Sequence, residues 1–245
     1  MSDAEQGRRK AGPGGREAGQ AASVPTAAGL SRHDLEAGKM RAIYQAAVDP
    51  GRTLCDEALS QSLDATLAAR PKGAGWWVFA YGSLLWNPIF PIAESRAALL
   101  RGYHRRFCLW SLAARGVPGA PGLVLGLMPG GACRGVAYRL PAPAAIDELH
   151  LLWRREMVVG SYEPRWVALQ SEGRPIVALA FVVKRDHPQY AGALPPERLA
   201  DVIATACGHL GSSRDYLERT RVALISHGIV DPYLERIAAA VRARN

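Results

Sequence analysis

The rhythm of apolar and polar positions divides the 245-residue chain into three parts. Residues 1–30 are rich in Ala, Gly, Ser and Gln and hold few large apolar groups, too little to offset the entropy of ordering. From 34 to 67, in segments such as HDLEAGKMRAIYQAA and CDEALSQSLDATLAA, apolar positions recur at helical spacing until RPKGAG breaks the pattern. Short strand-like runs follow at 77–84, 102–110, 122–127, 135–140, 166–170 and 176–183. PGG at 129–131 and SEGRP at 171–175 read as the turns of two hairpins. One helix at 144–158 interrupts the strands, and two or three helices close the chain over 196–244. Hairpins mixed with helices, rather than repeated strand-helix-strand units, predict an α+β fold: a sheet or small mixed barrel with surrounding helices. The expected organisation is an N-terminal extension over 1–72, disordered and then helical, followed by a folded domain over 73–245. No internal repeat is apparent.

Composition narrows this picture. At 49% hydrophobic and 21% charged, the chain suits one globular domain with additional sequence. Its longest apolar run, IVALAFVV, is strand-sized, far short of the ~18–20 residues of a membrane span, so no membrane association is expected. MSDAEQGRRK lacks the basic flank and apolar core of a secretory signal, which predicts a cytoplasmic protein. Cys55, Cys108, Cys133 and Cys207 form no C-x-x-C pair and read as reduced, mostly buried thiols. The net charge of +8 belongs almost wholly to the folded part: residues 1–72 carry 10 basic and 9 acidic side chains, the rest 20 and 13. Such a field can attract nucleic acid or a small anionic metabolite, but no nucleic-acid module accompanies it, and taken alone it reads as a solvated Arg-rich surface, with no obligate protein partner implied.

Within FAYGSLLWNP a strand runs into Gly82, and a glycine there marks a bulge or the close approach of another backbone or a ligand. In the internal helix, Ile146, Leu149, Trp153 and Met157 trace a buried stripe; Glu156 falls at its edge, with Arg155 projecting to the far side. A carboxylate facing apolar surroundings has a raised pKa and suits general acid-base work near neutrality, while a surface ion pair with a neighbouring Arg remains the alternative. Ser83 lies outside a G-x-S-x-G elbow and reads as a hydrogen-bonding group rather than a nucleophile. The six histidines lack metal-ligand spacing, and GPGG and GVPGAPG lack the spacing of phosphate loops, so neither metal nor cofactor is expected.

VFAYGSLLWNP, RGYHRRFCLWS, RGVPGAPGLVLGL, CRGVAYRLP, WRREMVVGSYEPRWV and RDYLERTRVALISHGIVDPYL, in this order from Trp76 to the C-terminus, together resemble the ChaC-type γ-glutamylcyclotransferases, nearest to their bacterial branch. The resemblance implies a small mixed β-barrel, a metal-independent lyase-type activity on glutathione yielding 5-oxoproline and Cys-Gly, Glu156 as acid and base, and a substrate cradle at Tyr81, Gly82, Ser83 and Leu84, continuing through Leu85 and Trp86. Arg115 and Tyr216 stand as further substrate-binding candidates. Ser213 and Asp215 occupy places where the family pattern has Asn and Glu. Another γ-glutamyl peptide or a γ-glutamylamine as substrate, or a non-catalytic binding role, remains an alternative at this point. Residues 1–72 lie outside the resemblance and are expected to be dispensable for chemistry.

Overall fold

A computed structural model describes residues 29–48 and 52–244. The predicted disorder of residues 1–30 falls outside the described residues except for Gly29 and Leu30, and Leu30 is buried.

Five strands close a barrel: β1 (Trp77–Ala80), β2 (Glu94–Ser111), β3 (Gly122–Arg139), β4 (Tyr162–Ser171) and β5 (Ile176–Val183), in the order β1-β3-β2-β4-β5. Neighbours along this order are antiparallel, and a parallel pairing of Val78 with Leu179 joins β1 to β5 and completes the ring. Closure removes the open edges that a five-stranded sheet would otherwise expose. SEGRP forms the β4–β5 hairpin as expected, but PGG does not reverse the chain. Gly130 and Gly131, with φ of 97° and 69°, sit opposite Gly102 (φ 83°) at a register shift, forming a bulge within one long ribbon. The glycines supply bending, not reversal. The first half of β2 escapes the sequence pattern because the residue types of ESRAALL do not alternate apolar and polar, although their burial does alternate once the segment pairs with β3 and, at Ala98–Leu100, with β4.

Helix α4 (Ala145–Glu156) packs on the barrel through Trp153, whose ring meets Phe181 edge-on at 5.4 Å. Leu149, Leu152, Trp153 and Met157 are fully buried, whereas Ile146, predicted to share their stripe, is 40% exposed in the first turn. α5 (Pro196–Thr205), the two-residue strands β6 (Cys207–Gly208) and β7 (Gly211–Ser212), α6 (Ser213–Ser226) and α7 (Pro232–Arg242) complete the domain. Ser212 and Asp231 cap α6 and α7 by accepting first-turn backbone N–H groups, as short oxygen-bearing side chains do at N-caps.

The N-terminal segment also has a fixed place. It forms α1 (Arg32–Glu36), α2 (Lys39–Ala47) and α3 (Asp56–Ala68), and Leu30, Leu35, Leu59 and Leu63 enter the same core as the barrel. Two indole N–H groups pin α3: Trp153 Nε1 donates to Ser62 Oγ (3.3 Å) and Trp166 Nε1 to the Thr66 carbonyl (2.8 Å).

Candidate active site

Three segments meet at one end of the barrel: the turn after β1, the end of α4 and the start of α6. The turn is a single 3-10 winding over Ser83–Leu85, entered through Gly82. Gly82 has no positive φ; its requirement is spatial, since an added Cβ would lie 2.8 Å from the Tyr216 hydroxyl. Tyr216 itself sits in the first turn of α6, edge-on to Trp86 and Phe107, and receives the Leu125 N–H on its hydroxyl. Arg105, buried in β2, holds the turn from behind by donating to the Tyr81 carbonyl (2.8 Å) and forming an ion pair with Asp231 (2.8 Å) at the N-cap of α7.

Glu156 ends α4 and turns its carboxylate toward this turn; the side chain is 14% exposed. Burial raises its pKa above the ordinary carboxylate value, and the neighbouring Arg155 guanidinium opposes the rise. Arg155 Nε lies 3.0 Å from Oε1 as an ion pair, yet Oε1 receives no aligned hydrogen bond within the protein. The arginine's other donors are directed elsewhere: Nη2 to Ser83 Oγ (2.8 Å) and Nη1 to the Asn87 carbonyl. Arg155 therefore does not project to the far side of α4, as the helical spacing predicts, but is buried against the turn and locks it to the helix. Arg155 and Glu156 both lie in the last turn of α4, where the Ser83–Asn87 segment packs against the helix and takes the arginine's donors.

Glu156 stands where two spaces join. An inner chamber is lined by Tyr81, Gly82, Ser83, Leu84, Tyr162 and Tyr216, among others. An outer cleft of about 770 Å³, open to solvent, shares Ser83, Glu156, Tyr162 and Tyr216 and adds Trp86 and Arg115. Burial and proximity to Glu156 push the Tyr81 and Tyr162 hydroxyls well above the usual tyrosine range and Tyr216 up to about 12, so all three remain protonated donors. Tyr81 donates to the Phe181 carbonyl (2.7 Å) and Tyr162 to the Leu125 carbonyl (3.1 Å).

Of the sequence candidates, Glu156, Tyr81, Gly82, Ser83, Leu84, Trp86, Arg115 and Tyr216 converge on these two spaces, whereas buried Leu85 lines neither. Arg115 packs over the Trp86 and Tyr216 rings at 5.4 and 5.6 Å and pairs with Asp215 at 3.4 Å. Ser213 is wholly buried; its hydroxyl receives the Leu123 N–H and donates to the Arg115 carbonyl, fixing the Arg115 loop to α6. Tyr162 was not a candidate: its place at the start of β4 becomes visible only when β5 brings Phe181 against its ring at 6.2 Å. Glu163, the next carboxylate in the chain, points away into an exposed pair with Arg165.

Residues 76–244 match the family model described as ChaC-like protein. The chain belongs to the ChaC-like family. Among ChaC-like relatives, the glutathione-specific gamma-glutamylcyclotransferase of Escherichia coli (strain K12) is 42% identical over 187 residues, 76% of this chain and 81% of that protein. The human glutathione-specific gamma-glutamylcyclotransferase 1 is 36% identical, over 58% of this chain and 67% of its own length. In fold, the chain resembles the crystal structure of a γ-glutamyl cyclotransferase specific to glutathione from yeast, with a TM-score of 0.65 at 23% identity, covering 70% of this chain and 97% of that one. Among the described residues no group of His, Cys, Asp and Glu is arranged to hold a metal ion, and no helix is long and apolar enough to cross a membrane.

Proposed function

We propose that this ChaC-like protein cleaves glutathione by intramolecular cyclisation, releasing 5-oxoproline and Cys-Gly. The observation that carries this reading is the position of Glu156: a buried carboxylate of raised pKa that lines both the pocket beside the Gly82 turn and the adjoining outer cleft. Glutathione already contains both reactants, since the α-amine of its γ-glutamyl group attacks its own γ-carbonyl to close a five-membered lactam. What the reaction demands of the protein is a folded substrate conformation and a proton carrier.

In this mechanism the γ-glutamyl group occupies the inner chamber. Glu156 takes a proton from the α-ammonium, and the freed amine attacks the γ-carbonyl carbon. N–H groups at the start of the 82–85 turn, which have no acceptor within the turn, face the oxygen that gains charge. The amide C–N bond then breaks; Glu156 hands its proton to the departing Cys-Gly amine and relays the second proton of the attacking nitrogen the same way, so that the ring ends as a lactam N–H and the dipeptide leaves as its ammonium. One bond forms, one breaks, and the proton inventory closes without water or redox change. A raised pKa serves both halves of the cycle, because a carboxylate that is too acidic would not deliver the proton.

The four free cysteines, two buried and two exposed, support a reducing, cytoplasmic setting. Incubation of the purified protein with glutathione, with detection of 5-oxoproline and Cys-Gly in equal amounts, tests the reading. Absence of both products, with release of 5-oxoproline from a different γ-glutamyl compound, would reassign the substrate.

A further inference from the structure

The outer cleft has a wall that the ChaC-like match does not contain. Gly29, Leu30, Met40 and Tyr44 line it opposite Trp86 and Arg115, and all four precede residue 76, where the family match begins. This wall is anchored at several points. Asn87, the last polar residue of FAYGSLLWNP, donates through Nδ2 to the Leu30 carbonyl (3.1 Å), tying the segment to the catalytic turn itself. Ser31 caps α1 through a reciprocal capping box with Asp34. Arg32 reaches across to Glu148 (2.6 Å), a carboxylate only 5% exposed in α4. Leu35 is buried in the barrel's core, and Arg154 of α4 donates to the Glu36 carbonyl (3.4 Å). Removing Arg32 alone would leave Glu148 without its cation, so the anchor involves the catalytic helix as well as the segment.

Tyr44, on α2, is the residue of this wall with chemistry to offer. It keeps partial exposure and lines the cleft together with Ser111, whose oxygen accepts the Arg115 N–H at 2.8 Å. A tyrosine hydroxyl offers one O–H to an acceptor in the cleft. Burial pushes this hydroxyl up to about 12, with the nearby Glu156 adding to the shift, so it stays a donor throughout the physiological range. The cleft thus presents a neutral donor from α2 and the guanidinium of Arg115, the latter packed against the Trp86 and Tyr216 rings. Those features complement a short peptide rich in carbonyl acceptors and ending in a carboxylate.

We propose that residues 29–48 form a recognition wall for the leaving dipeptide of the substrate, with Tyr44 as the residue that contacts it. This rests on the cyclotransferase reading for the identity of the dipeptide, but not for the existence of the wall. It opposes the sequence-based expectation that residues 1–72 are dispensable.

The decisive experiment titrates Cys-Gly onto the full-length wild type, Tyr44→Phe and Tyr44→Ala, with binding followed by calorimetry and circular dichroism confirming an unchanged fold. The dissociation constant should rise about tenfold in Tyr44→Ala, the scale of one lost contact in a specificity pocket, with Tyr44→Phe between the two. 5-Oxoproline, which carries only the cyclised half, should bind all three proteins equally. An unchanged Cys-Gly affinity in Tyr44→Ala, equal losses for Cys-Gly and 5-oxoproline, or no Cys-Gly binding to wild type would each overturn the wall. In turnover, Tyr44→Ala should raise KM for glutathione far more than it lowers kcat. A wild type that binds Cys-Gly but releases no 5-oxoproline from glutathione would instead sink the assigned activity and leave the wall standing.

Discussion

The inner chamber and the outer cleft share Glu156 but are built in different ways. Every residue of the chamber lies between Tyr81 and Tyr216, inside the ChaC-like match, and its tyrosine hydroxyls are fixed by backbone partners on the barrel. The cleft is completed by a segment from outside that match, held by an ion pair, a side-chain amide and a few buried leucines. A chamber that must fold one substrate group and move one proton tolerates little variation, because sub-ångström placement decides the rate. A wall that meets the departing peptide affects recognition more than bond-making. Substitutions in the two regions should therefore separate kcat from KM.

The largest effect belongs to the join. Glu156→Gln keeps size and hydrogen-bonding reach but cannot carry a proton, so kcat should fall by about 10² to 10⁴ with the fold intact. Glu163→Gln, which disturbs only an exposed pair with Arg165, should keep near-normal turnover. Comparison of 5-oxoproline release at saturating glutathione checks both; a normal rate in Glu156→Gln removes the proposed mechanism.

Next comes the chamber floor. Gly82→Val would drive its side chain into the Tyr216 hydroxyl, which already stands 2.8 Å from the place of a Cβ. Overpacking of this kind costs about 1–3 kcal/mol, and Tyr216 must turn away from the chamber to relieve it. Glutathione turnover should fall at least tenfold, on the scale of ~1.4 kcal/mol per decade, together with a lower Tm. Unchanged values of both would show that the turn tolerates a side chain. Ser83→Ala is milder. It removes the hydroxyl that receives Arg155 Nη2, a bond worth about 1.5 kcal/mol with a charged partner, and should lower kcat/KM roughly tenfold while Arg155 keeps Asn87 and Glu156. Steady-state kinetics on a folded Ser83→Ala protein decides between that loss and a silent change.

Much of this was legible in the sequence, and what was hidden has identifiable causes. Helical spacing placed Glu156 at an edge of α4, because a carboxylate three residues after Trp153 has few other places to go. The same spacing misplaced Arg155, since a helix wheel ends where the helix does and the wall facing the last turn comes from a distant loop. Gly82 stood out as a break in a strand, but the group filling its missing side chain is Tyr216, more than 130 residues away. PGG carries the composition of a turn and the geometry of a bulge; only the partner strand, with its own Gly102, distinguishes them. The N-terminal wall left almost no trace, because apolar helical spacing announces that a segment packs and not what it packs against.

The smallest expected effect is one of stability and concerns the sign of the charge at the join. Burial raises the folded-state pKa of Glu156, so the folded protein holds this proton more tightly than the unfolded chain. The stabilisation that follows is fully present below the unfolded carboxyl value of about 4.3 and is lost as pH rises through the higher folded value. Glu156→Gln stays neutral throughout and loses nothing over that interval. Its Tm relative to wild type should therefore climb as pH rises from the unfolded carboxyl value through the higher folded one, even though the variant has lost its proton carrier. Arg155 works against this trend, since its guanidinium lies 3.0 Å from the carboxylate and favours the charged form, which keeps the expected gain small. A Tm difference that falls with rising pH would mean that the ion pair outweighs burial. Glu156 would then sit too low in pKa to return a proton to the leaving amine, and the acid half of its role would need another group.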